Sequence, residues 1–104
     1  PPQAAIARGV PMIGPCNGFQ VMVKMGLLPE PTGEQRVTLA DNGGPAEGRF
    51  VDRWVPVKAE PTSVCIWTKG LDRFELPIAH GEGRFVVKDD AVLDALRSNG
   101  QVAL

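Results

Sequence analysis

A cysteine between two glycines is the part of the sequence best suited to carry out chemistry. Cys16 lies in the run Gly-Pro-Cys-Asn-Gly at residues 14–18, between an apolar run at 10–13 and a segment with helical periodicity. The spacing G-x-[nucleophile]-x-G is typical of a nucleophile held on a sharp strand-to-helix turn. Free N–H groups at the start of the following helix favour a thiolate and can stabilise an oxyanion. The pattern therefore predicts a reactive, exposed Cys16, although by itself it also fits a small buried packing residue.

The segments on either side of Cys16 predict an α/β arrangement. Residues 3–8 are good helix formers followed by Gly9, as is typical of a helix C-terminus. Residues 10–13 are predicted as a buried strand. Residues 17–27 carry apolar side chains at three- and four-residue spacing, which predicts a helix. A helix end, a tight turn and a buried strand in this order indicate the α/β class.

The rest of the sequence predicts short strands joined by turns, followed by one more helix. Turn residues concentrate in the run 41–45 and at Gly48. A final helix is expected to begin at Asp89 or Asp90, since aspartate is a good N-cap. The strands between 36 and 88 are expected to be partly antiparallel. The segments predicted as strands are 36–39, 49–58, 74–79, 84–88 and 101–104.

Composition excludes several classes of function. The chain has 104 residues, with 11 Lys and Arg against 12 Asp and Glu and a formal net charge of −1, so it has no basic surface for nucleic acid. No apolar run approaches the roughly 20 residues of a membrane helix. Two cysteines without metal-ligand spacing indicate neither a disulfide scaffold nor a metal site. We therefore expect a cytoplasmic protein that binds neither nucleic acid nor a membrane.

Three segments, in order along the chain, resemble one enzyme family. They read Gly-Pro-Cys-Asn-Gly-Phe-Gln-Val at 14–21, continuing to Met-Gly-Leu-Leu-Pro at 25–29, then Gly-Arg-Phe-Val-Asp-Arg-Trp-Val-Pro-Val at 48–57, and Leu-Pro-Ile-Ala-His-Gly-Glu-Gly-Arg-Phe at 76–85. These segments are similar to those of the glutaminase subunit or domain of phosphoribosylformylglycinamidine synthase, a class I glutamine amidotransferase of purine biosynthesis. The resemblance implies a partial flavodoxin-like three-layer α/β sandwich. It also implies that residues 1–104 are one incomplete amidotransferase domain, an internal fragment of a longer protein.

The resemblance implies a role for three residues of the first segment. Cys16 would attack the side-chain amide of glutamine, giving a glutamyl thioester and ammonia. Asn17 would offer its backbone N–H to the oxyanion, and Gln20 would help to hold the substrate. The ammonia would pass to a synthetase subunit or domain that binds ATP and magnesium, so no cofactor or metal is expected in this chain. A homo-oligomer is a further expectation.

The sequence departs from the family pattern in three places. The family completes its catalytic triad with a Pro-His-Pro-Glu segment, which these 104 residues do not contain. The glycine-rich oxyanion loop that precedes the nucleophile in the family is absent as well. Pro15 stands where the family more usually has an aliphatic residue. Because leaving ammonia and attacking water need a positioned acid and base, we expect these residues alone to be a poor glutaminase.

Other interpretations of the sequence stay open. His80 and Glu82 form an H-x-E pair that could supply the missing base, although the resemblance places them in a separate, non-triad segment. Cys65 stands among apolar residues, and we interpret it as a packing residue. Two functions compete with a glutaminase: a noncatalytic interaction module that retains the fold, and a redox protein that uses Cys16 without glutamine. Labelling by an electrophilic glutamine analogue would separate the three.

Overall fold

The computed structural model describes residues 1–43 and 49–104, which form two compact units. The first unit contains Pro1–Leu39 and Phe85–Lys88, and the second contains Ala40–Arg84 and Asp89–Leu104. The mixture of helices and strands confirms the predicted α/β class. The elements are α1 (Pro2–Ala7), α2 (Asn17–Lys24), β1 (Val37–Ala40), β2 (Val51–Lys58), β3 (Arg73–His80), β4 (Arg84–Val87) and α3 (Asp90–Ser98). No helix in these two ranges is long and apolar enough to cross a membrane.

The first unit contains α1, α2 and a two-stranded sheet in which β1 pairs with β4. Its buried apolar side chains are Val23 on α2, Leu27 just after that helix, and Val37 at the start of β1. This unit carries the segment around Cys16, because α2 begins at the residue that follows it.

The second unit contains α3 and a two-stranded antiparallel sheet of β2 and β3. Trp54 lies opposite Pro77, and Pro56 lies opposite Glu75. Proline has no N–H to donate, so both pairs must be positions where the backbone N–H groups point away from the partner strand. The antiparallel pairing confirms the expectation for the strands between residues 36 and 88.

The three helices in the described residues end in the same way, on a glycine with positive φ. The glycines are Gly9, Gly26 and Gly100, with φ values of 71°, 65° and 66°. After α2, the N–H of Gly26 donates to the carbonyl of Val23 at 3.0 Å and the N–H of Leu27 to that of Met22 at 3.0 Å. This pair of hydrogen bonds is the Schellman motif, which satisfies carbonyls that the helix itself leaves unpaired.

The N-termini of the helices also follow from local sequence. Pro2 is the first residue of α1, where its missing N–H costs nothing and its fixed φ suits the helix. Asp89 is the N-cap of α3, and its Oδ1 accepts a hydrogen bond from the N–H of Val92 at 3.1 Å. Of the two aspartates considered as the cap, the structure therefore selects Asp89.

Two predicted strands are wrong. Residues 10–13 and residues 101–104 belong to no helix or strand. Pro11 removes one donor from the first segment, and a buried strand needs a neighbour on each side. Residues 100–103 contact residues 60–64 instead through isolated hydrogen bonds, from Glu60 N–H to Ala103 O and from Val64 N–H to Gly100 O, both 2.9 Å.

The turn predicted around residue 43 is seen only in part. Asn42 and Gly43 form a turn. The turn prediction also covers Gly44, Pro45 and Gly48, which lie outside the described residues.

Candidate active site

Cys16 lies on a sharp bend immediately before α2. It is the N-cap residue, with φ 54° and ψ −124°, and in the described ranges it is the only residue other than glycine with a positive φ. A side chain in such a conformation costs about 1–3 kcal/mol, so the surrounding structure must hold it in place. The thiol is exposed and is not part of a disulfide. The bend therefore presents a free sulfur to solvent at the start of a helix.

Hydrogen bonds across the bend use the first N–H groups of α2. Gly18 N–H donates to Pro15 O at 2.9 Å, and Phe19 and Gln20 N–H both donate to Cys16 O, at 3.1 and 3.4 Å. In the part of the chain that the structure describes, the N–H of Asn17 donates to no backbone acceptor. The residue after Cys16 therefore has a donor free for a ligand, at the positive end of the helix dipole.

The two glycines that frame Cys16 lie against each other. A Cβ added to Gly14 would stand 2.9 Å from the carbonyl carbon of Gly18, 3.0 Å from its oxygen, and 2.6 Å from the Sδ of Met22. A Cβ added to Gly18 would meet only Pro15 Cδ, at an ordinary 3.8 Å. The bend therefore has no room for a side chain at residue 14, whereas it has room for a small one at residue 18.

The two other residues of the predicted site lie on the first turn of α2. Asn17 is exposed and Gln20 is half-buried. Gln20 lies one helical turn after Cys16 along the chain. The structure thus places the predicted nucleophile, the predicted oxyanion donor and the predicted substrate ligand at the N-terminus of α2, within the first unit.

The His-Gly-Glu-Gly loop between β3 and β4 is held by a residue that the sequence analysis did not select. The amide Nδ2 of Asn42 donates to His80 O at 2.8 Å and to Arg49 O at 3.0 Å, and lies 3.0 Å from His80 Nδ1. Its Oδ1 accepts a hydrogen bond from Gly83 N–H at 2.8 Å. The sequence indicates only a turn at Asn42, because His80 and Gly83 lie about forty positions away along the chain and no local pattern signals such contacts.

His80, Glu82 and Cys65 belong to the second unit, whereas Cys16 belongs to the first. His80 is half-buried and Glu82 is exposed. The N–H of Cys65 donates to Ser63 Oγ at 3.1 Å, and Thr68 Oγ1 donates to the carbonyl of Cys65 at 3.4 Å. Cys65 is half-buried and is not part of a disulfide.

One carboxylate in the first unit has a clearly shifted pKa. A hydrogen bond from Lys88 Nζ to Glu34 Oε1 at 3.0 Å, together with the positive charges of Lys88 and Arg36, lowers the pKa of Glu34 below its ordinary value. This pair is exposed and lies away from the bend in sequence. Among residues 1–43 and 49–104, no group of three or more His, Cys, Asp and Glu side chains could hold a metal ion.

Comparison with known proteins places this arrangement in context. A family profile described as a CobB/CobQ-like glutamine amidotransferase domain matches residues 4–104. The chain is 44% identical over 82 residues to the phosphoribosylformylglycinamidine synthase subunit PurQ of Dehalococcoides mccartyi, covering 78% of this chain and 31% of that protein. It is 41% identical over 109 residues to the PurQ subunit of Treponema denticola, covering 95% and 40% of the two chains.

A similar match is found in Thermomicrobium roseum, whose PurQ subunit is 40% identical over 109 residues, covering 98% of this chain and 41% of the relative. The chain therefore spans about a third to two fifths of the length of these curated relatives. No solved structure matches the chain with significance.

Proposed function

Because the chain belongs to the CobB/CobQ-like glutamine amidotransferase domain family, we propose that it carries the nucleophile of a glutaminase that supplies ammonia to phosphoribosylformylglycinamidine synthase. The family match also confirms the resemblance and the amidotransferase type of α/β fold. The named PurQ relatives support the choice of synthase. We propose further that the two units are parts of one flavodoxin-like domain.

The observation that carries the proposal is the conformation of Cys16. An exposed thiol on a strained bend at the start of a helix is what nucleophilic attack on an amide requires. The Cys16 sulfur attacks the side-chain carbonyl carbon of glutamine, and the carbonyl electrons move onto its oxygen. When that tetrahedral adduct collapses, the C–N bond breaks and ammonia leaves with an added proton. Water then cleaves the glutamyl thioester, which releases glutamate and restores the thiol.

Asn17 and Gln20 assist this reaction in the proposal. The uncommitted N–H of Asn17 donates to the oxyanion that forms during attack, where a fixed donor stabilises developing charge better than water does. Gln20, half-buried one turn along α2, hydrogen-bonds the bound glutamine. A matching N–H or side-chain contact at each end of the substrate would orient its amide toward the sulfur.

The proton steps need a general acid and base. The family resemblance assigns them to a Pro-His-Pro-Glu segment, which these 104 residues do not contain. His80 is the alternative base in this sequence. We propose that the ammonia passes to a synthetase subunit or domain, which binds ATP and magnesium. We propose a cytoplasmic location, which the free cysteines support because thiols stay reduced there.

Labelling with a diazoketone analogue of glutamine tests the proposal. The full chain is treated with the analogue, with and without excess glutamine, and the peptides containing Cys16 and Cys65 are quantified by mass spectrometry. Cys16 should be alkylated and protected by glutamine, whereas Cys65 should react slowly and without protection. The Cys65→Ser variant should keep the labelling and Cys16→Ser should lose it.

Two other results would contradict the proposal. If glutamine protects neither cysteine from the analogue while iodoacetamide alkylates Cys16 quickly, Cys16 is a redox thiol in a chain that does not bind glutamine. A Cys16 that reacts with neither reagent would indicate a noncatalytic module.

A further inference from the structure

Met22 contacts the bend that holds Cys16, although it lies six residues further along α2. Its Sδ lies 2.6 Å from the point where a Cβ on residue 14 would stand. We propose that Met22 is a positioning residue for Cys16, which acts through Gly14 and sets the direction of the thiol. This inference rests on the proposed role of Cys16 as the nucleophile.

Gly14 has close neighbours on two sides: backbone atoms on one and a side chain on the other. On one side stands the carbonyl group of Gly18, part of the first turn of α2 and fixed by the hydrogen bond from Gly18 N–H to Pro15 O. On the other side stands the thioether of Met22, which is half-buried. Removing the thioether leaves a space that the neighbouring side chains fill only partly. The backbone of residue 14 then lacks contacts on that side and can move toward it.

Movement at residue 14 reaches Cys16 through a short chain segment. Pro15 has a fixed φ, so only one backbone torsion between Gly14 and Cys16, the ψ of Pro15, can absorb a displacement of Gly14 before it reaches the Cys16 backbone. Cys16 is strained at φ 54°, and it gains energy if it relaxes to an ordinary negative φ. Relaxation would turn the sulfur and displace the N–H of Asn17. Met22 therefore opposes the loss of the strained bend.

The Met22 side chain restrains Gly14 through its size rather than through its sulfur. Leucine has a similar volume to methionine and usually substitutes for it at small cost. Alanine leaves the space beside Gly14 empty. Met25 provides the matched control, since it is also half-buried and loses the same atoms on substitution, but it is the C-cap residue at the other end of α2.

The test compares two alkylating reagents on the full chain. Met22→Ala should slow alkylation of Cys16 by the diazoketone analogue about tenfold or more, while alkylation by the small reagent iodoacetamide changes less than about threefold, because only a shaped substrate needs the sulfur correctly aimed. Met22→Leu and Met25→Ala should keep both rates near those of the wild type. Fast iodoacetamide labelling of Cys65, which is half-buried in the folded chain, reports that a variant has unfolded. If Met22→Ala unfolds, Met22→Val replaces it and is measured by the same criteria.

Two results would overturn the inference. One is an unchanged analogue rate in Met22→Ala while the wild type is labelled with glutamine protection. The other is an equal loss in Met25→Ala, which would indicate a general effect of helix packing. If the wild type is not labelled, the proposed function fails, and the Cys16 ¹³Cβ chemical shift then tests the positioning role of Met22. This chemical shift should move in Met22→Ala but not in Met25→Ala. An unmoved chemical shift in Met22→Ala overturns the inference.

Discussion

The amide of Asn42 lies against the ring of His80, with Nδ2 of the amide 3.0 Å from Nδ1 of the ring. Asn42 Oδ1 accepts from Gly83 N–H and Nδ2 donates to two carbonyls, so the amide orientation is determined by three backbone groups. The two hydrogens of Nδ2 are shared among these carbonyls and His80 Nδ1, and an unprotonated Nδ1 suits this contact because two facing N–H groups would repel each other. We therefore assign the proton of the neutral His80 ring to Nε2.

Removal of the Asn42 side chain should release the His-Gly-Glu-Gly loop. Asn42→Ala leaves the N–H of Gly83 and two backbone carbonyls without their partner, which should lower the free energy of unfolding by about 1–3 kcal/mol. The ¹⁵N chemical shifts of the His80 ring should move from those of a single Nε2-protonated tautomer toward a mixture. Asn99→Ala, at the exposed C-cap of α3, is the control and should leave both quantities unchanged. Unchanged ring shifts in Asn42→Ala would contradict the assignment.

The same loop should distinguish its two glycines. A Cβ on Gly83 would overlap the His80 ring, whereas a Cβ on Gly81 would meet only Phe50 Cδ2 at 4.0 Å. Gly83→Ala should therefore cost about 1–3 kcal/mol of unfolding free energy, because the ring must leave Asn42. Gly81→Ala should stay within about 0.5 kcal/mol of the wild type. Urea unfolding of both variants measures the difference, and equal values would show that the ring moves freely.

The glycines beside Cys16 should differ in a similar way. Gly14→Ala pushes on the backbone of Gly18 and should destabilise the chain by about 1–3 kcal/mol. Gly18→Ala has space and lies inside α2, so helix propensity should make it neutral or stabilising by up to about 1 kcal/mol. Denaturant unfolding checks both values. A destabilised Gly18→Ala would contradict the open space that the structure shows beside Gly18.

The Glu34–Lys88 pair predicts a pH effect with a definite sign. The pKa of Glu34 is lowered by the hydrogen bond and charge of Lys88, so the pair stabilises the fold above the ordinary pKa of 4.5 and loses that effect as the pH falls through the lower, folded value. Lys88→Met should raise the pKa of Glu34 toward 4.5, as measured by ¹³C NMR titration of its carboxyl carbon. High salt should produce a similar rise in the wild type, because the pair is exposed.

An unchanged pKa of Glu34 in Lys88→Met would contradict the role assigned to Lys88 in setting the charge state of this carboxylate. Arg36→Met is the second test, and its effect should be smaller because Arg36 contributes less to the shift.

Local sequence was sufficient for most of the elements and for the bend at Cys16. Helix ends depend on a few neighbouring residues, so Gly9, Gly26 and Asp89 could be interpreted without knowledge of the fold. The bend was predictable for the same reason, since residues 14–18 make its hydrogen bonds among themselves.

Features that depend on distant residues were not predictable. Residues 10–13 have the composition of a buried strand, but a strand forms only where other strands pair with it, and that depends on the rest of the fold. The role of Asn42 depends on His80 and Gly83, which lie far along the chain. The contact between Met22 and Gly14 depends on the path that the chain takes around Cys16. In the sequence, Met22 has the pattern of an ordinary core residue.

The prolines of β2 and β3 limit the addition of a further strand to the edges of this sheet. Pro56 and Pro77 occupy outward-facing backbone positions on opposite strands, so each outer edge of the two-stranded ribbon has a gap in its row of donors. A foreign strand that added to either side would leave one of its own carbonyls unsatisfied at that gap. Replacing either proline would restore a complete row of donors along that edge, and we expect the sheet then to accept an added strand more readily.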